Sequence, residues 1–292
     1  MKTKPKFLHY GTRRELLLIT LALPSFIGVM VFFLIPFAMS LHMAVIDNPI
    51  GRNFVGLEHF ARTFDNAAFQ LGFRNTLRFM LFSVPFNMAL ALLIATLLQS
   101  TNNIIKNILS VCFLLPLVIP SGSMVHFWRS IFGFNGVING LFFAYYPVNL
   151  LNTDHAMFVV AFIFIWKNIG FNIVLYLSGL SLIPKEYYEF ASVEGAGKLA
   201  QFWHITFMYL VPTTFTVFFM SIILSFRAFR EIFLLTGAHP HFSIYTLQHY
   251  MNNMFAALNY QRLASASYIL TACIVLVVIA VFYIQRRVLR YD

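Results

Sequence analysis

Charged and hydrogen-bonding side chains are scarce in this chain, so the few places where they gather are where chemistry can happen. The densest is the segment 183–212, IPKEYYEFASVEGAGKLAQFWHITFMYLVP. Lys185, Glu186, Glu189 and Glu194 charge one side of it, while Tyr187, Tyr188, Phe190, Ala191 and Val193 supply an oily side. Pro184 cannot continue a helix, and Gly195 and Gly197 break one. The segment therefore reads as a short surface helix over 185–196, a bend, and a second helical run over 199–208. A helix–bend–helix of this kind suits the surface of a membrane. A second set of polar groups lies within strongly apolar stretches. Asn168, Asn172 and Tyr176 recur every four residues and so share one helix face, as do Ser221 and Ser225 with Ala228. Polar groups inside a membrane are costly and face the bundle interior or a cavity, although a serine can instead bond back to its own helix. Glu231 is the acid nearest mid-chain membrane depth, and Arg227 and Arg230 are close enough in sequence to pair with it.

Some chemistry is excluded. No Gly-x4-Gly-Lys-Ser/Thr stretch occurs, so the chain is not expected to bind ATP by itself. No Cys/His cluster has zinc spacing; His239 and His241 read as part of a polar turn. Cys112 and Cys273 both fall in apolar runs and read as inert buried thiols. The apolar runs lack the buried carboxylates that ion-coupled carriers use, which points to energy supplied by another subunit.

The elements that must position these residues are apolar helices. The chain has 292 residues, of which 60% are hydrophobic, 17% aromatic and 10% charged, and its mean hydropathy is +0.77. A soluble fold cannot hide that much oil, so the composition predicts one integral membrane domain. Crossing the hydrocarbon takes about 20 mostly apolar residues. Six segments qualify: 16–41, 77–98, 108–127, 158–182, 209–234 and 263–284. The first is too long for a signal h-region and has no small-residue cleavage site after it, so it is expected to remain as a span. Within the third, Pro116 and Pro120 remove backbone hydrogen bonds and predict a bend. Trp128 and Arg129 read as anchors at the outer interface.

The net charge of +10 does not form one basic patch, which argues against nucleic acid. Lys2, Lys4, Lys6, Arg13, Arg14, Lys106, Lys185, Lys198, Arg286, Arg287 and Arg290 fall in the tails and alternate loops. The opposite loops hold Arg52, Arg62, Arg74, Arg129 and Arg262. By the positive-inside rule both termini and the segment 183–212 are cytoplasmic.

Against this background, Glu189, Phe190 and Ala191, then Gly195, then Ile205 after nine intervening residues, resemble the EAA motif of ABC-importer permeases, E-A-A-x3-G-x9-I-x-L-P. Phe190 replaces the first Ala, Glu194 stands where Asp is common, and Phe207 and Met208 stand where Leu-Pro is common. Pro212 falls on a later proline frequent in the sugar-transporting branch. The run from Phe54 to Phe60, FVGLEHF, resembles FVGLxNF with His59 for the usual Asn, and Phe69, Asn75 and Thr76 continue that pattern. Gly136, Ile138, Asn139 and Leu141 resemble G-x-I-N-x-L. Trp166, Gly170, Phe171, Leu180, Ile183 and Pro184 match the sugar branch, and Thr236 to Pro240, TGAHP, resembles TGGGP. Tyr260 with Ala264, Ser265 and Ala266 resembles GYASA. From Phe54 to Ser265 the pattern is similar, in order and spacing, to the maltose-type carbohydrate permease subunits of bacterial ABC importers.

The resemblance implies an all-α integral membrane fold, a type I ABC importer permease of six spans with a cytoplasmic coupling helix between spans four and five. It implies a single domain over 1–292, with a core at 70–285 and a coupling loop at 183–212. It implies a bacterial inner-membrane location and four kinds of neighbour: a second, similar permease, two ABC ATPase subunits, an extracytoplasmic solute-binding protein, and lipid. ATP and Mg would be bound by the ATPase partners, with no cofactor in this chain. Tyr187, Tyr188, Glu189, Phe190, Ala191 and Gly195 would couple to the ATPase, with Glu189 as a charged docking or loop-stabilising residue, Gly195 at the bend and the other four as the buried face. Asn168, Phe171, Asn172, Ser221 and Ser225 would line the sugar path, since aromatic faces with hydroxyl and amide groups suit sugars. An ABC permease for another solute, such as glycerol phosphate, a polyamine or a lipid-linked glycan fragment, is the alternative. A non-ABC secondary carrier or integral enzyme is the remaining one.

Overall fold

The computed structural model describes residues 8–48, 50–143 and 146–288. Of the expected basic flanks, Lys2, Lys4, Lys6 and Arg290 lie outside the described residues, as do the side chains of Arg13 and Arg14. Helices dominate because in hydrocarbon each backbone group must be paired within its own segment. Among the described residues the only β pairing is an isolated antiparallel bridge between Ile46 and Phe54.

In chain order, α1 (Leu8–Val29) runs through a π-turn into α2 (Ile35–Val45), and α3 (Glu58–Phe64) leads to α4 (Ala67–Gln99). Next come α5 (Asn103–Val118), α6 (Ser121–Phe132), α7 (Val137–Phe142) and α8 (Ala156–Ser181). Beyond α8 lie α9 (Lys185–Val193), α10 (Lys198–Gln201) and α11 (Met208–Thr236), then α12 (Leu247–Ala256) and α13 (Tyr260–Val288). Asparagines start two of the long helices. The Asn66 side chain accepts from the amides of Ala68 and Phe69, and that of Asn102 from the amide of Ile104.

Five stretches are long and apolar enough to cross a membrane, and the count reaches six when α5 and the helices after it are taken as one broken span. That break corrects the expected third span over 108–127. The chain stops being helical at Val118, turns by 97° and restarts at Ser121. Pro120 takes extended geometry at the restart and contributes no side-chain cap. Aromatic packing ties down α6 beyond the turn. Trp128, expected as an interfacial anchor, is buried, with its ring 5.1 Å from Trp166 and 6.0 Å from Phe162. Arg129 donates from Nη2 to the carbonyls of Leu234 and Leu235, at 3.0 and 3.2 Å, and so closes the end of α11.

The core is built around α8, which packs against α4, α5 and α11. Ile169, Ile173, Tyr176 and Leu180 meet Ala91 and Ala95 of α4 and Leu210 and Val217 of α11. Gly170 sets the approach of α5: a Cβ at this position would stand 2.0 Å from the Phe113 carbonyl oxygen. On the far side of the bundle, Asn75 donates to the carbonyls of Phe242 and Tyr245, and the Thr76 hydroxyl accepts from the amide of Leu247. These bonds fasten α12 onto α4. Asn139 does the same for the loop after α7, donating to Gly133, Phe134 and Val148 carbonyls and accepting from the Val148 amide. The first span packs least: α2 touches α13, where the Phe37 and Tyr268 rings lie 4.6 Å apart, and its apolar window is otherwise exposed. Both cysteines are free; Cys112, expected to be buried, is exposed on α5, and Cys273 is half-buried.

Candidate functional site

Two places gather the polar residues. The first is α9 and the turn after it. The helix begins at Lys185 behind the extended Pro184 and ends at Val193, shorter than the expected 185–196. Its end is a left-handed closure. The amide of Ala196 donates to the Ala191 carbonyl at 2.8 Å, and that of Gly195 to the Ser192 carbonyl at 3.1 Å. Gly195 has a φ of +81°, a conformation that costs any residue with a Cβ. Gln201 braces the bend from the next helix, its amide donating to the Ala196 carbonyl at 2.9 Å and to the Ser192 hydroxyl at 3.0 Å.

One side of α9 is anchored to the chain that returns to the membrane. The Tyr188 and Thr206 hydroxyls lie 2.9 Å apart, and the Tyr187 ring lies 5.3 Å from that of Tyr209. Tyr188 and Ala191 are half-buried. The oily side expected of Tyr187, Tyr188, Phe190 and Ala191 does not stay together. Phe190 sits two residues past Tyr188, about 200° around the helix, and points outward. It is 73% exposed and Val193 86%. Glu186, Glu189 and Glu194 are exposed beside them. Tyr188 turns inward, while Tyr187, itself 46% exposed, stands with Phe190, Val193 and three carboxylates on a sticky, acid-edged face.

The second place is a cavity of about 220 Å³ at the elbow between α5 and α6, closed by α8 and α11. Its walls include Val118, Pro120 and Phe164, and its polar lining is Ser121, Lys167, Asn168, Arg227, Arg230 and Glu231. The Lys167 ammonium is 2.5 Å from Glu231 Oε1 and 2.9 Å from Ser121 Oγ, and the Ser121 hydroxyl donates to the same carboxylate oxygen at 2.8 Å. Three elements are joined there, one residue from each. Glu231 therefore does not pair with Arg227 or Arg230, its neighbours along α11, as the spacing suggested. Its counterion lies 64 residues away.

Of the five residues expected on the path, Asn168 borders this cavity, while its amide also bonds back to the Phe164 carbonyl at 2.8 Å. Asn172 lies one turn deeper and donates to the Ser221 hydroxyl at 2.9 Å, tying α8 to α11; both are fully buried. Ser225 donates to its own helix at the Ile222 carbonyl, 2.6 Å away. Phe171 is half-buried on the same helix as Asn168, off the cavity wall. The shared face of Asn168, Asn172 and Tyr176 is thus an interior seam, and the cavity itself is lined by residues that single-helix spacing did not select. Ser121 gave no signal of its own. Glu231 gave one, since a carboxylate at that depth requires a counterion.

Comparison with known proteins agrees with this architecture. Residues 87–290 match the family described as "Binding-protein-dependent transport system inner membrane component". The arabinooligosaccharides transport system permease protein AraP of Bacillus subtilis is 31% identical over 87% of this chain and 83% of its own length. The trehalose/maltose transport system permease protein MalF of Thermococcus litoralis is 30% identical over 75% of this chain and 76% of its own. The sn-glycerol-3-phosphate transport system permease protein UgpA of Rhizobium meliloti is 28% identical over 92% and 94%. Among solved structures, a chain of a bacterial ABC transporter involved in the import of the acidic polysaccharide alginate superposes with a TM-score of 0.78 at 23% identity, over 96% of this chain and 98% of that one. The family match spans well over half of the chain: this chain belongs to the binding-protein-dependent transport system inner membrane component family.

Proposed function

We propose that this chain is the membrane-spanning subunit of an ATP-driven importer that takes up a carbohydrate handed over by an extracytoplasmic solute-binding protein. The observation that carries the coupling role is the outward face of α9, where Phe190 and Val193 stand exposed on a helix fixed from behind. A large exposed apolar pair rimmed by charge marks a docking surface. Its partner is an ATPase subunit, two of which bind and hydrolyse ATP with Mg while this chain hydrolyses nothing. When the ATPase pair closes, α9 moves with it. The Tyr188–Thr206 and Tyr187–Tyr209 contacts pass that displacement to the segment leading into α11, which also carries Ser221, Arg227 and Glu231. The pathway then alternates between outward and inward openings. A second, similar permease completes it. Both termini and α9 lie on the cytoplasmic side of the inner membrane, as the distribution of lysine and arginine supports, and the chain forms a single transmembrane domain.

The carbohydrate assignment follows relatives that carry arabinooligosaccharides and trehalose or maltose. A glycerol-phosphate reading is favoured by the longer coverage of the UgpA relatives and by the two arginines at the cavity. Affinity purification of the chain with its native partners, beside E189A and G195P, tests the coupling role. The expected outcome is an ATPase that accompanies the wild type and is depleted from both variants. An intact chain that brings down no ATPase in any mild detergent overturns the importer reading.

A further inference from the structure

The charges around the elbow cavity do not balance. Lys167 and Glu231 neutralise each other, with side chains only 15% and 13% exposed. That leaves Arg227 and Arg230, one turn apart on α11, both lining the same cavity. Neither guanidinium has a hydrogen-bond or ion-pair partner among the described residues. The carboxylate nearest to them in sequence is already held by an ammonium and a hydroxyl from two other helices.

A third positive feature points the same way. The twelve-residue α6 starts at Ser121 on the cavity wall, and no side chain caps its first amides. An uncapped helix start carries a partial positive charge. The rest of the wall is oil: Val118, Ile163, Phe164 and Leu224. Both arginines are exposed in the single chain, so their charge is open to whatever enters the cavity. Cations at membrane depth are rare because they are expensive, and they persist where a ligand or pathway uses them. Arginine forks match the two oxygens of a carboxylate or phosphate.

We propose that the elbow cavity is a subsite for an anionic group on the transported solute, a carboxylate or a phosphate, with Arg227 and Arg230 as its ligands. The Ser121–Lys167–Glu231 set is its neutral floor and fixes α6 and α8 relative to α11. This rests on the importer reading and narrows its substrate to acidic carbohydrates or sugar-like phosphates. An uncharged sugar entering the cavity leaves both guanidinium groups unpaired, and the site discriminates against it on that account.

The test is uptake by the intact importer, reconstituted with its partner subunits in vesicles. Three radiolabelled probes are used: a uronate trisaccharide, a neutral trisaccharide of the same linkage, and glycerol 3-phosphate. The wild type is expected to take up one or both anionic probes and to discriminate against the neutral one. R227Q and R230Q are each expected to raise KM for the anionic probe by about tenfold, the scale of one lost charge-assisted contact. The double variant is expected to assemble normally. Uptake of the neutral probe alone, of no anionic probe, or of an anionic probe at unchanged KM in both variants overturns the subsite. Loss of the second permease from the double variant also overturns it, since the arginines are then a subunit contact. Uptake of glycerol 3-phosphate without the uronate supports the subsite and ends the carbohydrate assignment. An assembled complex restricted to neutral sugar ends the subsite and leaves the importer reading standing.

Discussion

His249 is fully buried, and its Nδ1 accepts from the Thr246 amide and hydroxyl at 3.2 and 2.8 Å. With Nδ1 an acceptor, the proton of the neutral ring sits on Nε2, and the Phe229 ring packs edge-on at 4.8 Å between centroids. Burial, then the nearby His239, lower its pKa from 6.5 to about 4. The folded chain prefers the neutral ring, so this preference stabilises it above pH 6.5 and is lost as the pH falls toward 4. Thermal unfolding of the purified assembly, followed from about pH 7.5 to about pH 4.5, should show a loss of up to about 3 kcal/mol at the acid end. H249N, which keeps an acceptor and does not titrate, should flatten that dependence. At this scale the sequence was partly legible. The four-residue recurrence of Asn168, Asn172 and Tyr176 marked an interior seam, because helical spacing alone decides which side chains share a face. The partner of Glu231 was not legible, because a contact spanning 64 residues depends on how α8 and α11 come together. The split of Tyr188 from Phe190 was hidden for a related reason: both are aromatic, and only the direction of the returning chain decides which one turns inward.

Helices locate easily and orient poorly from sequence. The spans expected at 77–98, 158–182, 209–234 and 263–284 all fall within or across α4, α8, α11 and α13, since long apolar runs leave little choice. Pro116 and Pro120 located the bend in the third span, but not its 97°. That angle is set by what α6 lands on, the rings of Phe162 and Trp166 and the carbonyl end of α11. The contact that lets α5 reach α8 is the bare Cα of Gly170. G170L should force these helices apart and destabilise the protein by about 3 kcal/mol or more. The check is loss of the monodisperse complex on size-exclusion chromatography, with G122A, at a position with open space around it, as the tolerated comparison.

At the scale of the whole molecule, the same elbow leaves the subunit short on one side. With 16 residues, α5 rises about 24 Å, less than the roughly 30 Å hydrocarbon core of an ordinary bilayer. Acyl chains beside it must compress or tilt to keep their oil against the helix, at a fraction of a kcal/mol per Å. Bilayer thickness is therefore expected to bear on this transporter at the elbow. Vesicles made from progressively longer acyl chains should show uptake that peaks at the thinner bilayers and declines as the mismatch at the elbow grows.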